Sequence, residues 1–131
     1  MTDNRNSEVQ GRKRVLVVED DFDMNELVCL MLDDAGYDTM QAFCGDEGLR
    51  MASEYRPDLV LLDIMLPDKN GIDICRNITA GERTQKIPVI IMTCRNDLTT
   101  KLSSYVSGAK RYITKPFEEM HLLSELERTL S

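Results

Sequence analysis

The sequence has a single histidine, and its four cysteines, Cys29, Cys44, Cys75 and Cys94, lie far apart with no C-x-x-C pair. That argues against the His/Cys ligand sets of a zinc site. It leaves the cysteines as small apolar residues kept reduced, with the cytoplasm the expected location. No apolar run nears the roughly 20 residues a helix needs to cross a bilayer. The polar stretch Met1 to Gln10 has no hydrophobic signal region, which argues against secretion. Basic charge is scarce too: 16 Lys and Arg stand against 23 Asp and Glu, a net charge of −7. Such a surface repels phosphate backbones, so no direct nucleic-acid binding by this domain is expected. The run Arg12-Lys13-Arg14 precedes a strand and reads as a solvated flank.

What is present fits one soluble domain, since 131 residues suffice for one core and leave no room for a second. Residues 1–13 lack apolar periodicity and are expected to form a flexible tail, with the domain over 14–131. Val15 to Val18 is a continuous β-branched and apolar run that ends in Glu19-Asp20-Asp21, the pattern of a parallel strand buried on both faces. Met24, Leu27, Val28, Met31, Leu32 and Ala35 trace one apolar helix face. Asp23 with Glu26 is the expected capping box, and Gly36 the stop. Tyr37 to Ala42 predicts a second strand, and Leu49, Ala52 and Tyr55 a short helix ended by Pro57. Leu59 to Leu62 repeats the buried-strand pattern and ends in Asp63. After the loop-forming Pro67 to Gly71, a third helix is predicted around Ile72, Cys75 and Ile78. A fourth strand over Pro88 to Met92 ends at Thr93. Leu98, Leu102, Tyr105 and Val106 give a fourth helix closed by Gly108. A fifth strand over Arg111 to Thr114 ends at Lys115-Pro116, and a last helix turns Leu122, Leu123, Leu126 and Leu130 inward. Five strand–helix units predict an α/β fold with a five-stranded parallel sheet, flavodoxin-like and doubly wound, in the order 2-1-3-4-5.

Open α/β sheets bind ligands beyond the carboxyl ends of their strands. Here those ends carry Glu19, Asp20 and Asp21, then Asp63, Thr93 and Lys115. Crowded carboxylates repel one another unless a cation or proton intervenes, and hard oxygen ligands without His or Cys favour Mg²⁺. Lys115 and Thr93 complete an anion pocket. Positioning and charge stabilisation of this kind suit phosphoryl transfer.

Val15 to Asp21 (VLVVEDD), Asp58 to Pro67 (DLVLLDIMLP), Pro88 to Thr93 (PVIIMT) and Gly108 to Phe117 (GAKRYITKPF), in order and in register, resemble the receiver domains of two-component response regulators over about residues 13–130. The resemblance implies that Asp63 accepts a phosphoryl group from a phosphohistidine on a histidine kinase or phosphotransfer protein. It implies direct Mg²⁺ ligation by Asp20, Asp63 and the backbone carbonyl of Met65, with Glu19 acting through water. Lys115 and Thr93 would hold phosphoryl oxygens, and Thr93 with Tyr112 would form the switch that remodels the surface of helix four, strand five and helix five. Met65 and Arg95 occupy positions that tune dephosphorylation. The Lys115–Pro116 bond is expected to be cis.

Some residues depart from the family pattern. Cys94 stands where Ala is usual and could narrow access to the phosphoryl group. An apolar Met65 cannot orient an attacking water, so a phosphoryl lifetime longer than in chemotaxis-type receivers is expected. Lys110 and Arg111 replace acids, while Glu125 and Glu127 stand on the last helix where bases are common. That inverted pattern could support a phosphorylation-dependent homodimer that rejects ordinary relatives, or could be solvated surface charge. His121 is expected at the surface. A metal-dependent phosphatase would want an acid at position 65, a flavodoxin-like module a phosphate loop after strand one, and a degenerate pseudo-receiver the loss of Asp63, Thr93 or Lys115. The domain is therefore not expected to be an enzyme beyond its own phosphorylation and slow autodephosphorylation.

Overall fold

Continuous apolar runs set the architecture. In the computed structural model, which describes residues 11–131, they become β1 (Arg14–Val18), β3 (Leu59–Leu62) and β4 (Val89–Thr93), flanked by β2 (Asp38–Ala42) and β5 (Arg111–Thr114). The helices between and after them are α1 (Phe22–Asp34), α2 (Gly45–Tyr55), α3 (Gly71–Ala80), α4 (Leu98–Val106) and α5 (Glu119–Leu130). All strands pair in parallel in the order β2-β1-β3-β4-β5, as expected.

Successive side chains of a strand point to opposite faces, and both faces here are covered. Leu16, Val18, Val60, Leu62, Val89 and Ile91 pack with Ala52 of α2 and Ile74, Cys75 and Ile78 of α3. Val15, Val17, Leu59, Leu61, Ile90 and Met92 pack with Val28 and Leu32 of α1 and Leu122 and Leu126 of α5. Each fully buried Leu or Ile contributes about 2 kcal/mol, so the central strands are the most firmly held part of the molecule. Their carboxyl ends carry the polar residues.

Two expectations need correction. The cap of α1 is Asp21, whose Oδ1 accepts a hydrogen bond from the Met24 backbone N–H at 3.0 Å. The helix starts one residue before Asp23, which therefore lies in its first turn. Most of the expected tail lies outside the described residues; at its end the Lys13 carbonyl accepts from the Asp38 N–H at 2.9 Å, and Arg12 pairs with Asp38. Lastly, α4 forms, but its apolar stripe faces outward: Leu98 is 70%, Leu102 55% and Val106 85% exposed. Its inner side is made of Thr100 and Ser104. The Ser104 hydroxyl bonds the Thr100 carbonyl and the Ser107 hydroxyl the Ser104 carbonyl, so polar side chains are buried with their partners supplied locally.

Candidate phosphoryl and metal site

The site grows from the ends of β1 and β3. Val18 pairs with Leu62, and one further step along that register sets Glu19 beside Asp63. The Asp63 N–H donates to the Val18 carbonyl at 3.0 Å. Asp63 is 4% and Glu19 1% exposed, whereas Asp20 points to solvent. One carboxylate oxygen from each of the three lies within 4.8 Å of the others.

Lys115 enters from the end of β5. Its N–H donates to the Thr93 carbonyl at 2.8 Å, which fixes its backbone to β4, and the Lys115–Pro116 bond is cis as expected. Its Nζ donates to Asp63 Oδ2 at 2.8 Å and also to Glu19 Oε1. Asp63 Oδ1 accepts from the Met65 N–H at 2.9 Å, and Glu19 Oε2 from the Asp21 N–H at 3.1 Å. Burial pushes the Glu19 carboxyl above its ordinary range, against the lowering effect of Lys115. Burial also works against the Lys115 ammonium, but its bonds to Asp63 and Glu19 outweigh that and raise its pKa. Three carboxylates against one ammonium leave excess negative charge in an all-oxygen donor set open to solvent through Asp20. A divalent cation such as Mg²⁺ fits that deficit and that donor chemistry.

The match to the model of the response regulator receiver domain spans residues 15–127. The chain belongs to this family. It is 38% identical over 117 residues to the DNA-binding dual master transcriptional regulator RpaA of Synechocystis sp., covering 89% of this chain and 48% of that protein. It is 39% identical over 119 residues to the DNA-binding response regulator MtrA of Mycobacterium tuberculosis, covering 91% of this chain and 51% of that protein. The chain thus spans about half the length of these curated relatives. Among solved structures, a CheY-like response regulator receiver domain protein from Methanospirillum hungatei JF-1 superposes with a TM-score of 0.87 at 28% identity, over 92% of this chain and 94% of that one.

The receiver brings Glu19, Asp20, Asp63 and Lys115 together, while the other expected site residues stand around them. Thr93 is fully buried at the end of β4, with its Oγ1 near the Arg95 N–H at 3.5 Å. The half-buried Tyr112 donates its hydroxyl to the Arg95 carbonyl at 2.5 Å. Arg95 turns its side chain to Asp97. Met65 is half-exposed and bridges to Asn70 across the loop between β3 and α3. Cys94 and His121 lie at the surface. Among the described residues, no helix is long and apolar enough to cross a membrane.

Two residues of the receiver were missed in the sequence. Asn25 of α1 is fully buried, and its Nδ2 reaches the carbonyls of Glu19 at 3.1 Å, Ala42 at 3.2 Å and Val17 at 3.4 Å. Its Oδ1 accepts from Gln41 Nε2 at 3.0 Å. It therefore holds the peptide that precedes Asp20. The signal was available, because Asn25 is a polar residue on the same helix face as Val28, Cys29 and Leu32. Asp68 accepts from the N–H groups of Asp46 and Gly45 at the start of α2, at 2.9 and 2.7 Å. Those bonds hold its carboxyl below the usual range and tie the loop after Asp63 to a helix. No local pattern reveals a cap supplied from so far along the chain.

Proposed function

We propose that Asp63 is the phosphoacceptor of this receiver and that its donor is a phosphohistidine on a histidine kinase or phosphotransfer protein. The observation that carries the reading is Lys115 donating to Asp63 inside a cluster of three carboxylates. A carboxylate oxygen of Asp63 forms the new O–P bond as the P–N bond of the donor breaks, and the leaving imidazole nitrogen takes the electron pair. Glu19, Asp20, Asp63 and the Met65 carbonyl are the groups that would hold Mg²⁺, which supplies charge neutralisation for the transferring phosphoryl group. Lys115 neutralises a phosphoryl oxygen as a fixed point charge. The Thr93 hydroxyl bonds another, and its movement releases Tyr112 from the Arg95 carbonyl and biases the surface of α4, β5 and α5. The domain then works as a signalling module whose only chemistry is its own phosphorylation and slow hydrolysis, with Met65 and Arg95 setting the lifetime.

Incubation with Mg²⁺ and acetyl phosphate tests the assignment by mass. Wild type is expected to gain one phosphoryl group and Asp63→Asn none. An unmodified wild type, or an equal adduct on the variant, overturns it.

We further infer that phosphorylation drives pairing of two copies through α4, β5 and α5. Support comes from the outward apolar stripe of α4. Glu125 is already engaged within the chain by Arg111 at 3.7 Å and Arg128 at 3.2 Å, so this pairing rests more on apolar contact than on an inverted charge code.

A further inference from the structure

The amino-terminal edge of the sheet, at the far end of the strands from the acidic pocket, carries several bases beside a few acids. Arg14 opens β1, Arg56 and Lys86 lie three residues ahead of β3 and β4, and Lys110 and Arg111 stand at the start of β5. A chain of net charge −7 thus gathers many of its bases at one end. A cavity of about 710 Å³ opens on this edge between the end of α2 and the connection from α3 to β4. Its charged lining is Arg56, Asp58, Glu82, Arg83 and Lys86.

Among the described residues, no carboxylate oxygen lies within 4.0 Å of the charged nitrogens of Arg56, Arg83 or Lys86. Asp58 is engaged elsewhere, with Oδ2 accepting from the Arg14 N–H at 2.8 Å. Arg83 Nε donates to the Ser53 carbonyl at 3.1 Å, which anchors the side chain without using the terminal nitrogens of its fork. Arg56 caps α2 in a left-handed conformation at φ 44°, which non-glycine residues adopt at an energetic cost and which recurs at ligand sites. Three bases against two acids leave the lining with surplus positive charge, which an anion would neutralise. Two guanidinium forks and an ammonium match the tetrahedral oxygens of phosphate better than a single carboxylate. The cavity volume lies in the range of small-molecule sites, about 300–1,000 Å³. Asp58 and Glu82 at the same cavity disfavour a long polyanion laid across the edge.

We propose that this cavity binds a compact, multiply charged phosphate, either pyrophosphate or the polyphosphate tail of a nucleotide. The site is separate from the Asp63 pocket, being at the other end of the strands.

Amide spectra of the ¹⁵N-labelled chain, recorded without divalent ions at constant ionic strength, test this with pyrophosphate, a nucleoside triphosphate and sulfate. Pyrophosphate is expected to give saturable shifts at Arg56, Arg83, Gln85 and Lys86, with sulfate giving only small linear ones. Tighter binding of the triphosphate assigns the site to nucleotides, and equal binding to the phosphate chain alone. In an Arg83→Glu/Lys86→Glu double variant, exposed at both positions, affinity is expected to fall about tenfold or more with the remaining spectrum unchanged. Linear shifts with every anion, saturation centred on Asp63, Thr93 and Lys115, or undiminished binding by the double variant would each overturn the proposal.

Discussion

Lys115 holds two buried carboxylates at once, and that makes it the residue on which the pocket's electrostatics turn. Removing one partner of a buried pair strands the other charge, at a cost of about 3 kcal/mol. Lys115→Met is therefore expected to lower stability by about that amount in metal-free buffer, in urea titrations read by circular dichroism. Mg²⁺ should restore more stability to the variant than to wild type, because it replaces the missing cation. The sign of the pH dependence follows from the raised Lys115 pKa. Its contribution is complete below the ordinary lysine value of 10.5 and is lost as pH rises through the higher folded value. On the alkaline side the gap between wild type and variant should therefore persist until that range is reached, while acid closes it separately by protonating Glu19, whose carboxyl pKa burial raises, and Asp63. A gap that closes on mild alkalinisation, well short of the lysine range, would show that Lys115 is not the counter-charge. Asp63, Glu19, Asp20 and Lys115 were legible in the sequence because each ends an apolar strand, and a parallel sheet brings all such ends to one edge. Asn25 was not, since its partners are backbone carbonyls of β1 and β2 and only the packed structure shows where they converge.

At the scale of elements, the register of α3 against β3 fixes the loop that carries Met65. A Cβ added at Gly71 would stand 2.2 Å from the Ile64 Cα and 2.7 Å from the Asp63 carbonyl oxygen, distances that only backbone movement can relieve. The Gly71 N–H donates to the Ile64 carbonyl at 2.9 Å in the same close approach. Gly71→Ala should cost about 1–3 kcal/mol, the range for overpacking, and should slow modification by acetyl phosphate because the displaced backbone is that of Asp63 itself. A destabilised variant that is modified at the wild-type rate would mean that the loop adjusts away from the site. Helix and strand identities were legible from periodicity, yet periodicity could not say which way α4 faces. Leu98, Leu102, Tyr105 and Val106 have the spacing of a core stripe, and it took the small polar Thr100 and Ser104 packed inward to turn that stripe to solvent.

At the scale of the whole molecule, that outward stripe is what a second copy would cover. Leu98, Leu102, Tyr105 and Val106 of α4 are exposed, and Tyr112 bonds the Arg95 carbonyl just ahead of that helix. Under the proposed switch, a change at Thr93 would alter how α4 is presented. Wild type with Mg²⁺ and beryllofluoride, a phosphoryl mimic, is expected to sediment as a dimer, and untreated protein as a monomer. Leu102→Glu places an unpaired charge in the centre of the stripe and should leave monomers under both conditions, while the acetyl phosphate adduct on Asp63 forms as in wild type. Salt discriminates between apolar and ionic pairing. Glu125 is held by its own chain's Arg111 and Arg128, so raising ionic strength should weaken the dimer little. Wild-type monomers under both conditions would end the pairing idea, and a dimer that dissolves in moderate salt would return the interface to Lys110, Arg111 and the acids of α5.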